Sequence, residues 1–412
     1  MNLHNSILKT KQSTQKLLAL NSKQRTQLLE CMAENLIKAE SDILQANQKD
    51  IEIAQKNQMK DSMLERLSLD SKKIQAMCKS VQEIASLREP LGRVLDGFIA
   101  PSGIAISKIS VPLGVVAVIY ESRPNVTSDT AALCLKSGNA IILKGGKESH
   151  HSNVAITKPL HKALDSWNLP QELIFMLPNS SREEVTELLT FKDLIDVVIP
   201  RGGEGLVRYV SEHSSIPVIK HDKGICHAYV HTQADFKKAV DIIINAKTSR
   251  PSVCNSIETL LVDRLIFQEF LSFLKPSLIA HKVQCYCCPA SLGILEGNAV
   301  CEESYHTEYG EKILNVRVVE DIDEAIEHIN HYGSQHSDVI ITDEILPAEK
   351  FLNEVNSACV YLNASTRFSD GGEFGFGAEI GISTNKLHAR GPVGIQELTS
   401  YKFIIRGNGE VR

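Results

Sequence analysis

The chain of 412 residues has an ordinary globular composition, with 43% apolar and 23% charged residues and a formal net charge of −6 from 44 Lys and Arg against 50 Asp and Glu. Such a composition supports a large hydrophobic core and excludes the disordered and fibrous classes. The acidic balance, with no long basic block, argues against nucleic acid as the main partner. At roughly 100–200 residues per domain, the length predicts two or three structural units.

The sequence predicts neither export nor membrane insertion. Its first twenty residues lack a compact apolar segment with a cleavage site, and its apolar runs, such as Val115–Tyr120, are far shorter than the ~20 residues of a transmembrane helix. Ten cysteines without a framework spacing are typical of reduced thiols. We therefore expect a cytoplasmic protein with no membrane partner.

The first ninety residues have the pattern of helices. Ser71 is the predicted N-cap of a helix whose apolar residues recur with helical spacing. These apolar positions are Ile74, Met77, Cys78, Val81, Ile84 and Ala85. The next segment, between Asp96 and Val111, alternates apolar residues around the turn-forming trio Pro101-Ser102-Gly103 and predicts a β-hairpin. Because an isolated hairpin is marginally stable, we expect it to pack on another subunit or on the end of the chain.

From Gly114 onward, short apolar runs alternate with helical patterns, which is typical of a parallel sheet with right-handed helical crossovers. The predicted strands are Val115–Tyr120, Ala140–Leu143, Leu173–Leu177, Val197–Ile199 and Ile216–Ile219. The predicted helices are Val126–Lys136, ended by Gly138, and Val154–Trp167, Glu183–Thr190 and Glu204–His213. A second α/β section follows from about Tyr229 to about Ala358, and Tyr401–Ile405 is a short C-terminal strand.

Ligands of open α/β sheets bind beyond the carboxyl ends of the strands, so the residues next to the apolar runs are the candidates for chemistry. Four segments stand out there: Glu121–Asn125, Lys144–Lys147, Pro200–Gly203 and Arg250–Ser256. In the third, the pair Gly202-Gly203 before a helix would let backbone N–H groups approach an anionic ligand. The pattern G-x-G-x-x-G is absent, so a plain tight turn is an equal interpretation.

Cys254 is the candidate nucleophile among the ten cysteines, because it lies in a polar loop near Arg250 and beside Asn255. A reactive cysteine needs a cation, a base or a helix N-terminus that favours the thiolate, together with access to substrate. The residue pattern alone favours the commoner interpretation, a small buried hydrophobe. Apolar or helical surroundings typical of packing residues are found at Cys31, Cys78, Cys134 and Cys359.

The cluster Cys285, Cys287 and Cys288 raises the alternative of a structural zinc site. Such sites usually combine a pair of cysteines with a second ligand pair downstream, and here only Cys301 follows nearby, with scattered histidines. The incomplete pattern predicts that the protein holds no metal.

Four blocks of the sequence resemble a known family. They are PLGVVAVIYESRPNVTSDTAALCLKSGNAIILKGGKES, VVIPRGG, RPSVCNSIETLLV and LNASTRFSDGGEFGFGAEIGISTNKLHARGPVG. Together they resemble the acyl-phosphate-reducing branch of the aldehyde dehydrogenase superfamily, and the likeness runs from the helical start to the C-terminal strand. The resemblance implies an aldehyde-dehydrogenase-like α/β fold.

The resemblance also implies three parts of the chain. Residues 1–94 and 112–228 would form an NADP-binding domain around a parallel sheet, and residues 229–390 would form an α/β catalytic domain. The hairpin of residues 95–111 and the C-terminal residues 391–412 would form a small β element for oligomerisation. We therefore expect a homo-oligomer.

The implied reaction is the NADPH-dependent reduction of L-glutamate 5-phosphate to L-glutamate 5-semialdehyde with release of phosphate, a step of proline biosynthesis. Glutamate 5-kinase, which makes the acyl phosphate, is a candidate partner. By similarity, Cys254 would be the nucleophile that forms a thioacyl intermediate, which divides one hard step into two easier ones. Asn125 would hold the developing oxyanion with its amide, although the pattern after Pro124 alone predicts a turn residue.

Cofactor residues also follow from the resemblance. Lys144 matches a lysine that reaches the adenosine ribose, and Gly202 and Gly203 match the loop nearest the pyrophosphate. Glu308 matches the glutamate that holds the nicotinamide ribose, with a plain surface glutamate as its alternative interpretation. NAD-specific relatives commonly place a carboxylate at the position that Lys147 occupies here. Because an ammonium group attracts a 2′-phosphate, we expect NADPH rather than NADH.

Arg123 and Arg367 are the candidate ligands of substrate oxyanions, because a guanidinium grips them with a two-pronged geometry. Pairing of either arginine with a nearby carboxylate is the alternative. Hydrolytic relatives use a glutamate to activate water where a rough alignment places His221, so we expect the intermediate to be shielded from water and His221 to donate a proton when it collapses. Gly371–Gly381 would be a loop that closes over the substrate.

Three other functions remain open from the sequence alone. The chain could be a different acyl or aldehyde dehydrogenase, which phosphate dependence would exclude. It could be a silent α/β scaffold with Cys254 as a core thiol, which fast alkylation of Cys254 would exclude. A cysteine hydrolase would need a histidine base, and the sequence shows no flanking motif for one.

Overall fold

The computed structural model describes residues 2–178, 181–221 and 223–412. Two compact units make up the chain: unit 1 is Met1–Lys220 with Gly375–Gly381 and Pro392–Arg412, and unit 2 is His221–Phe374 with Ile382–Gly391. Each unit has its own parallel sheet, as the alternation of apolar runs and helical patterns predicts. The assignment of cofactor, catalytic and oligomerisation roles to parts of the chain stays a prediction.

The helices of unit 1 form the start of the chain and the crossovers of its sheet. They are α1 (Leu3–Leu18), α2 (Ser22–Lys38), α3 (Glu40–Lys56), α4 (Asp61–Leu67), α5 (Ser71–Ser86), α6 (Asn125–Lys136), α7 (His150–Ser166), α8 (Arg182–Leu188) and α9 (Glu204–His213). All six apolar positions predicted for α5 are buried, which confirms its helical spacing. The predicted N-cap Ser71 is wrong by one residue, because the Asp70 carboxylate accepts the hydrogen bond of the Lys73 N–H at 2.7 Å.

The parallel sheet of unit 1 has the strand order β5-β4-β3-β6. The strands that come first in the chain are β1 (Val94–Ile99), β2 (Ala105–Pro112), β3 (Val115–Tyr120), β4 (Ala140–Lys144), β5 (Ile174–Met176) and β6 (Val197–Arg201). Every residue of β3 is buried, as a central strand needs when helices cover both faces of a sheet. The carboxyl ends of β3, β4 and β6 meet at one edge, since Tyr120 pairs with Arg201 and Ile119 with Lys144.

The strand predicted at Ile216–Ile219 is wrong. Only Val218 pairs there, as an isolated bridge to Val198 of β6. The Val198 N–H donates to the Pro217 carbonyl at 2.9 Å, and the Ile219 N–H donates to the Val198 carbonyl at 3.0 Å. Because Pro217 has no N–H, it cannot continue the ladder, and the pairing ends at one residue.

Unit 2 confirms the predicted second α/β section. Its strands are β7 (Cys226–Val230), β8 (Ile257–Asp263), β9 (Gln284–Cys287), β10 (Asn298–Ala299), β11 (Ile313–Val319), β12 (Ser337–Ile341) and β13 (Cys359–Leu362). Its helices are α10 (Phe236–Thr248), α11 (Phe267–Ala280), α12 (Pro289–Leu295), α13 (Glu302–Tyr305), α14 (Ile322–Tyr332) and α15 (Ile345–Glu354). The sheet order is β10-β9-β11-β8-β7-β12-β13, with parallel neighbours throughout. Of all the helices in the described residues, none has the length and apolar character needed to cross a bilayer.

The predicted hairpin is confirmed as the antiparallel pair β1 and β2, with Phe98 opposite Ile106. The last strands of the chain are β14 (Gly381–Ser383), β15 (Gly391–Val393) and β16 (Thr399–Arg406). β16 pairs with β2 along its whole length, so the hairpin packs on the end of the chain. This three-stranded sheet keeps large apolar side chains in solvent, with Ile99 75% and Ile405 60% exposed.

Candidate active site

Cys254 lies half-buried in the loop between α10 and β8. The backbone at Gly224 packs directly on the backbone of Cys254. A Cβ atom at position 224 would lie 2.3 Å from the Cys254 carbonyl oxygen and 2.4 Å from its Cα. Only glycine fits there, because real Cβ atoms do not approach backbone so closely. The buried Cys226 thiol also donates a hydrogen bond to the Cys254 carbonyl at 3.2 Å. The backbone of the cysteine is therefore held from one side in a fixed position.

Asn255 anchors the same loop from the other side. Its buried amide donates to the Ser369 carbonyl at 2.9 Å, and its own carbonyl accepts a hydrogen bond from the Thr366 hydroxyl at 2.6 Å. These partners belong to the single helical turn Thr366–Phe368 and the residue after it. Since buried hydrogen-bonded groups hold their geometry firmly, the loop is rigid on both flanks of the Cys254 side chain.

Arg367, a predicted ligand of substrate oxyanions, reaches back along this loop. Its Nε donates to the Ser249 hydroxyl at 3.2 Å, and its Nη1 donates to the Asn255 side-chain oxygen. Burial lowers the pKa of the Arg367 guanidinium, and the nearby charge of Arg250 lowers it further. The alternative interpretation, an ion pair of Arg367 with a carboxylate, does not occur within 4.0 Å among the described residues.

Most other cysteines of the chain are buried thiols. Burial raises the pKa of Cys78 to about 11 and of Cys285 to about 12, and it raises that of Cys134 further. This confirms the packing interpretation for Cys78, Cys134 and Cys359, all of them buried. Cys31 differs from that interpretation, because it is only half-buried and lies 3.7 Å from the Ser166 hydroxyl. Within the described ranges, no three His, Cys, Asp or Glu side chains come together as metal ligands.

Asn125 is the first residue of α6 and is exposed, rather than part of a turn. Its amide donates a hydrogen bond to Asp129 Oδ2, one helical turn later, at 3.0 Å. The other oxygen of Asp129 is buried. Burial raises the pKa of the Asp129 carboxyl to about 6. The contact fixes the direction of the Asn125 amide and leaves its second N–H available.

Lys144 ends β4 and lies half-buried, with two carboxylates acting on it. Burial lowers the pKa of the Lys144 ammonium, and the charges of Glu148 and Glu121 partly offset that effect. Glu148 is itself held by Ser122, whose N–H and hydroxyl donate at 2.7 Å and 2.9 Å. Lys147 is exposed. The strand end therefore carries ammonium groups and carboxylates side by side.

The Gly202-Gly203 pair faces a carboxylate of the chain itself. The Gly203 N–H donates to Glu121 Oε2 at 2.9 Å, and a Cβ at position 202 would lie 2.4 Å from the same oxygen. Gly203 is also the N-cap of α9, so its N–H belongs to the positive end of that helix. The Gly203 N–H is a suitable donor for the predicted anion, and anion binding by this turn stays a prediction. The sequence analysis missed that the Glu121 carboxylate accepts the hydrogen bond of this N–H. The position of Glu121 directly after β3 was the available signal.

Glu308 supports the nucleophile loop indirectly. Its Oε2 accepts a hydrogen bond from the Gly224 N–H at 3.0 Å, and Gly224 packs on Cys254. His221 donates from Nδ1 to the Ile382 carbonyl at 3.2 Å, and its ring lies edge-on to that of His336 with 5.8 Å between the ring centres. Arg123 lies between β3 and α6, where its carbonyl accepts a hydrogen bond from the Val126 N–H.

The predicted site residues fall into two groups, one in each unit. Unit 1 brings Asn125, Arg123, Lys144, Lys147, Gly202 and Gly203 to the carboxyl edge of its sheet. Unit 2 brings Cys254, Arg367 and Glu308 to the start of β8 and the chain around it, and it places His221 against Ile382 and His336. The sequence analysis missed the roles of Gly224 and Asn255 in holding Cys254.

Fold and site residues together define an α/β protein of two parallel sheets with a half-buried cysteine held in a rigid loop. A family model described as the Aldehyde dehydrogenase family matches residues 4–285, and the chain belongs to that family. It is 55% identical over 404 residues to the gamma-glutamyl phosphate reductase of Wolinella succinogenes, with 98% of both chains covered. These findings confirm the resemblance that the four sequence blocks carry.

Solved structures confirm the predicted fold class. The crystal structure of gamma-glutamyl phosphate reductase from Thermotoga maritima matches with a TM-score of 0.97 and 41% identity over 100% of both chains. An acetylating aldehyde dehydrogenase from Geobacillus thermoglucosidasius matches with a TM-score of 0.70 and 17% identity, covering 99% of this chain and 97% of that one. The second match supports the fold alone.

Proposed function

We propose that the chain catalyses the NADPH-dependent reduction of L-glutamate 5-phosphate to L-glutamate 5-semialdehyde with release of phosphate, in proline biosynthesis. The observation that carries this proposal is the likeness over 98% of the chain to a relative named gamma-glutamyl phosphate reductase. The rigid loop around Cys254 supports it, because covalent catalysis needs a nucleophile whose backbone does not move during attack.

Cys254 is the proposed nucleophile. Its thiolate attacks the acyl carbon, the bond from that carbon to the phosphate oxygen breaks, and phosphate leaves with the electron pair. The acyl group then rests on sulfur as a thioester until it is reduced. After reduction, the oxyanion on carbon reforms the carbonyl and expels the Cys254 thiolate with the aldehyde. Sulfur suits this role because it both attacks and leaves well.

Asn125 is the proposed donor to the oxyanion in both steps. The hydrogen bond to Asp129 orients the Asn125 amide, so its second N–H is available to the developing charge without a change of side-chain conformation. A preorganised donor of this kind contributes roughly 3–4 kcal/mol to lowering a barrier. His221 is the proposed proton donor to the thiolate that the collapse expels, and its Nδ1–H bond to Ile382 holds the ring so that Nε2 is the nitrogen left to exchange a proton.

The residues at the edge of the unit 1 sheet fit a phosphate-bearing nucleotide. The Gly203 N–H at the start of α9 already binds a carboxylate, which acts as a stand-in anion. Lys144 and the exposed Lys147 add positive charge at the neighbouring strand end. A bound nicotinamide nucleotide would supply the hydride for the reduction. Lys147 is the proposed basis of a preference for NADPH, because an ammonium favours a 2′-phosphate.

A homo-oligomer is the proposed assembly. The sheet of β1, β2 and β16 exposes apolar side chains on strands that pair only with one another, and such patches are typical of association surfaces. A second copy of the chain is the proposed occupant. Association with glutamate 5-kinase stays a proposal that rests on the instability of the acyl phosphate.

The reverse reaction tests the proposed function. Wild-type enzyme supplied with L-glutamate 5-semialdehyde and NADP⁺ should form NADPH at a rate that depends on inorganic phosphate, and Cys254→Ala should lose this activity. Phosphate-independent oxidation would instead indicate another aldehyde dehydrogenase. Equal activity of Cys254→Ala and wild type would contradict the proposed mechanism.

A further inference from the structure

Two guanidinium groups lie along the loop that carries the nucleophile. Arg250 opens the loop, and Arg367 binds the residues at its two ends: its Nε donates to Ser249 at 3.2 Å and its Nη1 donates to Asn255. Ser249 directly precedes Arg250, and Asn255 directly follows Cys254. The guanidinium of Arg367 therefore bridges the residues that flank the segment from Arg250 to Cys254.

Neither guanidinium forms an ion pair with a carboxylate among the described residues. Among residues 2–178, 181–221 and 223–412, no carboxylate lies within the 4.0 Å ion-pair distance of Arg250 or Arg367, whereas other arginines have such partners, for example Arg317 with Glu324 at 2.8 Å. Asp370 and Glu373 influence the charge of Arg367 only from beyond that distance. Arg250 is exposed, and its side chain makes no hydrogen bond to any described residue.

Like charges that are held close without a counterion raise the free energy of the folded protein. The lowered pKa of Arg367, caused first by burial and then by Arg250, is consistent with that strain. A ligand with two or more oxyanions would relieve it, because each guanidinium can grip an oxyanion with two parallel hydrogen bonds. The arrangement is that of an anion subsite in the loop that carries the reactive sulfur.

We infer that Arg250 and Arg367 form the subsite for the phosphoryl group of the acyl phosphate and for the inorganic phosphate that it becomes. This inference rests on the proposed function. The phosphoryl group is bonded through one oxygen to the carbon that sulfur attacks, so it must lie beside Cys254 at that moment. The α-carboxylate of the substrate lies at the far end of its carbon chain and cannot occupy the same place.

The subsite would act on the leaving group. When the thiolate forms its bond to carbon, the carbon–oxygen bond breaks, and phosphate takes the electron pair and gains charge. Guanidinium groups already in position stabilise that developing charge without reorganisation. In the reverse direction they hold phosphate so that its oxygen attacks the thioester carbon and the thiolate leaves.

The test uses the reverse reaction with inorganic phosphate as the probe. Arg250→Ala should raise the KM for phosphate about tenfold or more, as loss of a charge-assisted contact predicts, and should leave the KM for the aldehyde and for NADP⁺ within about twofold. Arg250→Lys keeps the charge without the two-pronged geometry and should raise the phosphate KM about threefold. The matched control is Arg264→Ala at the other end of β8, where an exposed arginine pairs with Glu320 and no change is expected.

A pre-steady-state burst separates this inference from the proposed function. Without phosphate, wild type and Arg250→Ala should both release one equivalent of NADPH per active site, because acylation of Cys254 from the aldehyde does not need phosphate. An unchanged phosphate KM in Arg250→Ala would overturn the inference alone. A raised aldehyde KM instead would assign the subsite to the carboxylate and also overturn it. A wild type with neither burst nor phosphate dependence would overturn the proposed function and this inference together.

Discussion

The strand ends of unit 1 and the nucleophile loop of unit 2 differ in whether their anion-binding groups already contact a carboxylate of the chain. In unit 1, Glu121 accepts the hydrogen bond of the Gly203 N–H and Glu148 accepts two from Ser122, so groups suited to an anion already hold the chain's own carboxylates. In unit 2, the two arginines beside Cys254 have no carboxylate partner among the described residues. If these residues bind anions as proposed, the ligand replaces an internal contact in unit 1 and adds a new contact in unit 2.

The two units also differ in which contacts hold these segments in place. A loop with uncompensated charge keeps its shape only if the surrounding backbone holds it, and unit 2 supplies Gly224, Asn255 and the turn at Thr366 for that purpose. The unit 1 turns are held by the same carboxylates that occupy them. We expect substitutions in unit 2 to have the larger effects.

The largest expected effect concerns the buried pair under the nucleophile loop. Lys247 and Glu258 are fully buried with 2.7 Å between Nζ and Oε2, and burial raises the pKa of Glu258 to about 7. Lys247→Met would leave the Glu258 carboxyl unpaired and should lower the free energy of unfolding by about 3–5 kcal/mol. Denaturant unfolding measures this loss. Lys247→Met with Glu258→Gln should recover much of it, and a double variant as unstable as the single one would contradict this account of the pair.

Gly224 gives the next effect. Gly224→Ala would force the Cys254 backbone to move by a large part of an ångström, and such a displacement should lower kcat about 100-fold. Steady-state kinetics of the reverse reaction measures it. The matched control is Gly293→Ala in α12, where a Cβ meets no atom within 4 Å and kcat should not change. Wild-type kcat in Gly224→Ala would show that the loop is not rigid.

Asp129 of unit 1 should make the free energy of unfolding depend on pH. Burial raises its folded-state pKa from 3.8 to about 6, so the folded protein binds a proton that the unfolded chain has already released. The contribution of Asp129 to the free energy of unfolding should therefore fall as pH rises from about 4 to about 6, by up to about 3 kcal/mol. Urea unfolding of wild type and Asp129→Asn at several pH values measures the difference. A difference that does not depend on pH would contradict the assigned shift.

Lys147 gives the smallest expected effect, because unit 1 already contains carboxylates near this strand end. Lys147→Glu should lower the ratio of kcat/KM for NADPH over NADH about tenfold, since a carboxylate repels a 2′-phosphate. Lys158→Glu, in helix α7 that follows the short turn of Lys147 and away from the strand ends, is the charge-matched control. An unchanged ratio in Lys147→Glu would remove Lys147 from the account of cofactor choice.

Much of the fold could be predicted because local patterns decide it. The apolar run of β3 and the helix at Glu204–His213 have the predicted bounds, since burial on both faces and helical spacing leave a clear trace in the sequence. The strand at Ile216–Ile219 failed because one proline removed a donor that the apolar pattern does not register. The cap at Asp70 failed by one residue because two neighbouring residues can both cap a helix.

The site could be predicted only as a set of residue types. Cys254 and Asn125 are predicted from the family resemblance, whereas the contacts that hold the loop of Cys254 depend on residues far away in the chain. Asn255 and Ser369 meet across more than a hundred residues, and no local pattern predicts such a pairing. The contact of Glu121 was missed because a glycine turn before a helix predicts an anionic ligand at its N–H groups. The sequence pattern does not indicate that a carboxylate of the chain itself occupies that place.

Mass spectrometry of the enzyme quenched during turnover tests the central claim most directly. With L-glutamate 5-semialdehyde and NADP⁺ in the absence of phosphate, we expect a glutamyl group on the peptide that contains Cys254 and on no other cysteine peptide. Addition of phosphate before the quench should remove it. A quenched enzyme with an unmodified Cys254, or with the acyl group on a different cysteine such as Cys288, would contradict the claim that Cys254 carries the substrate.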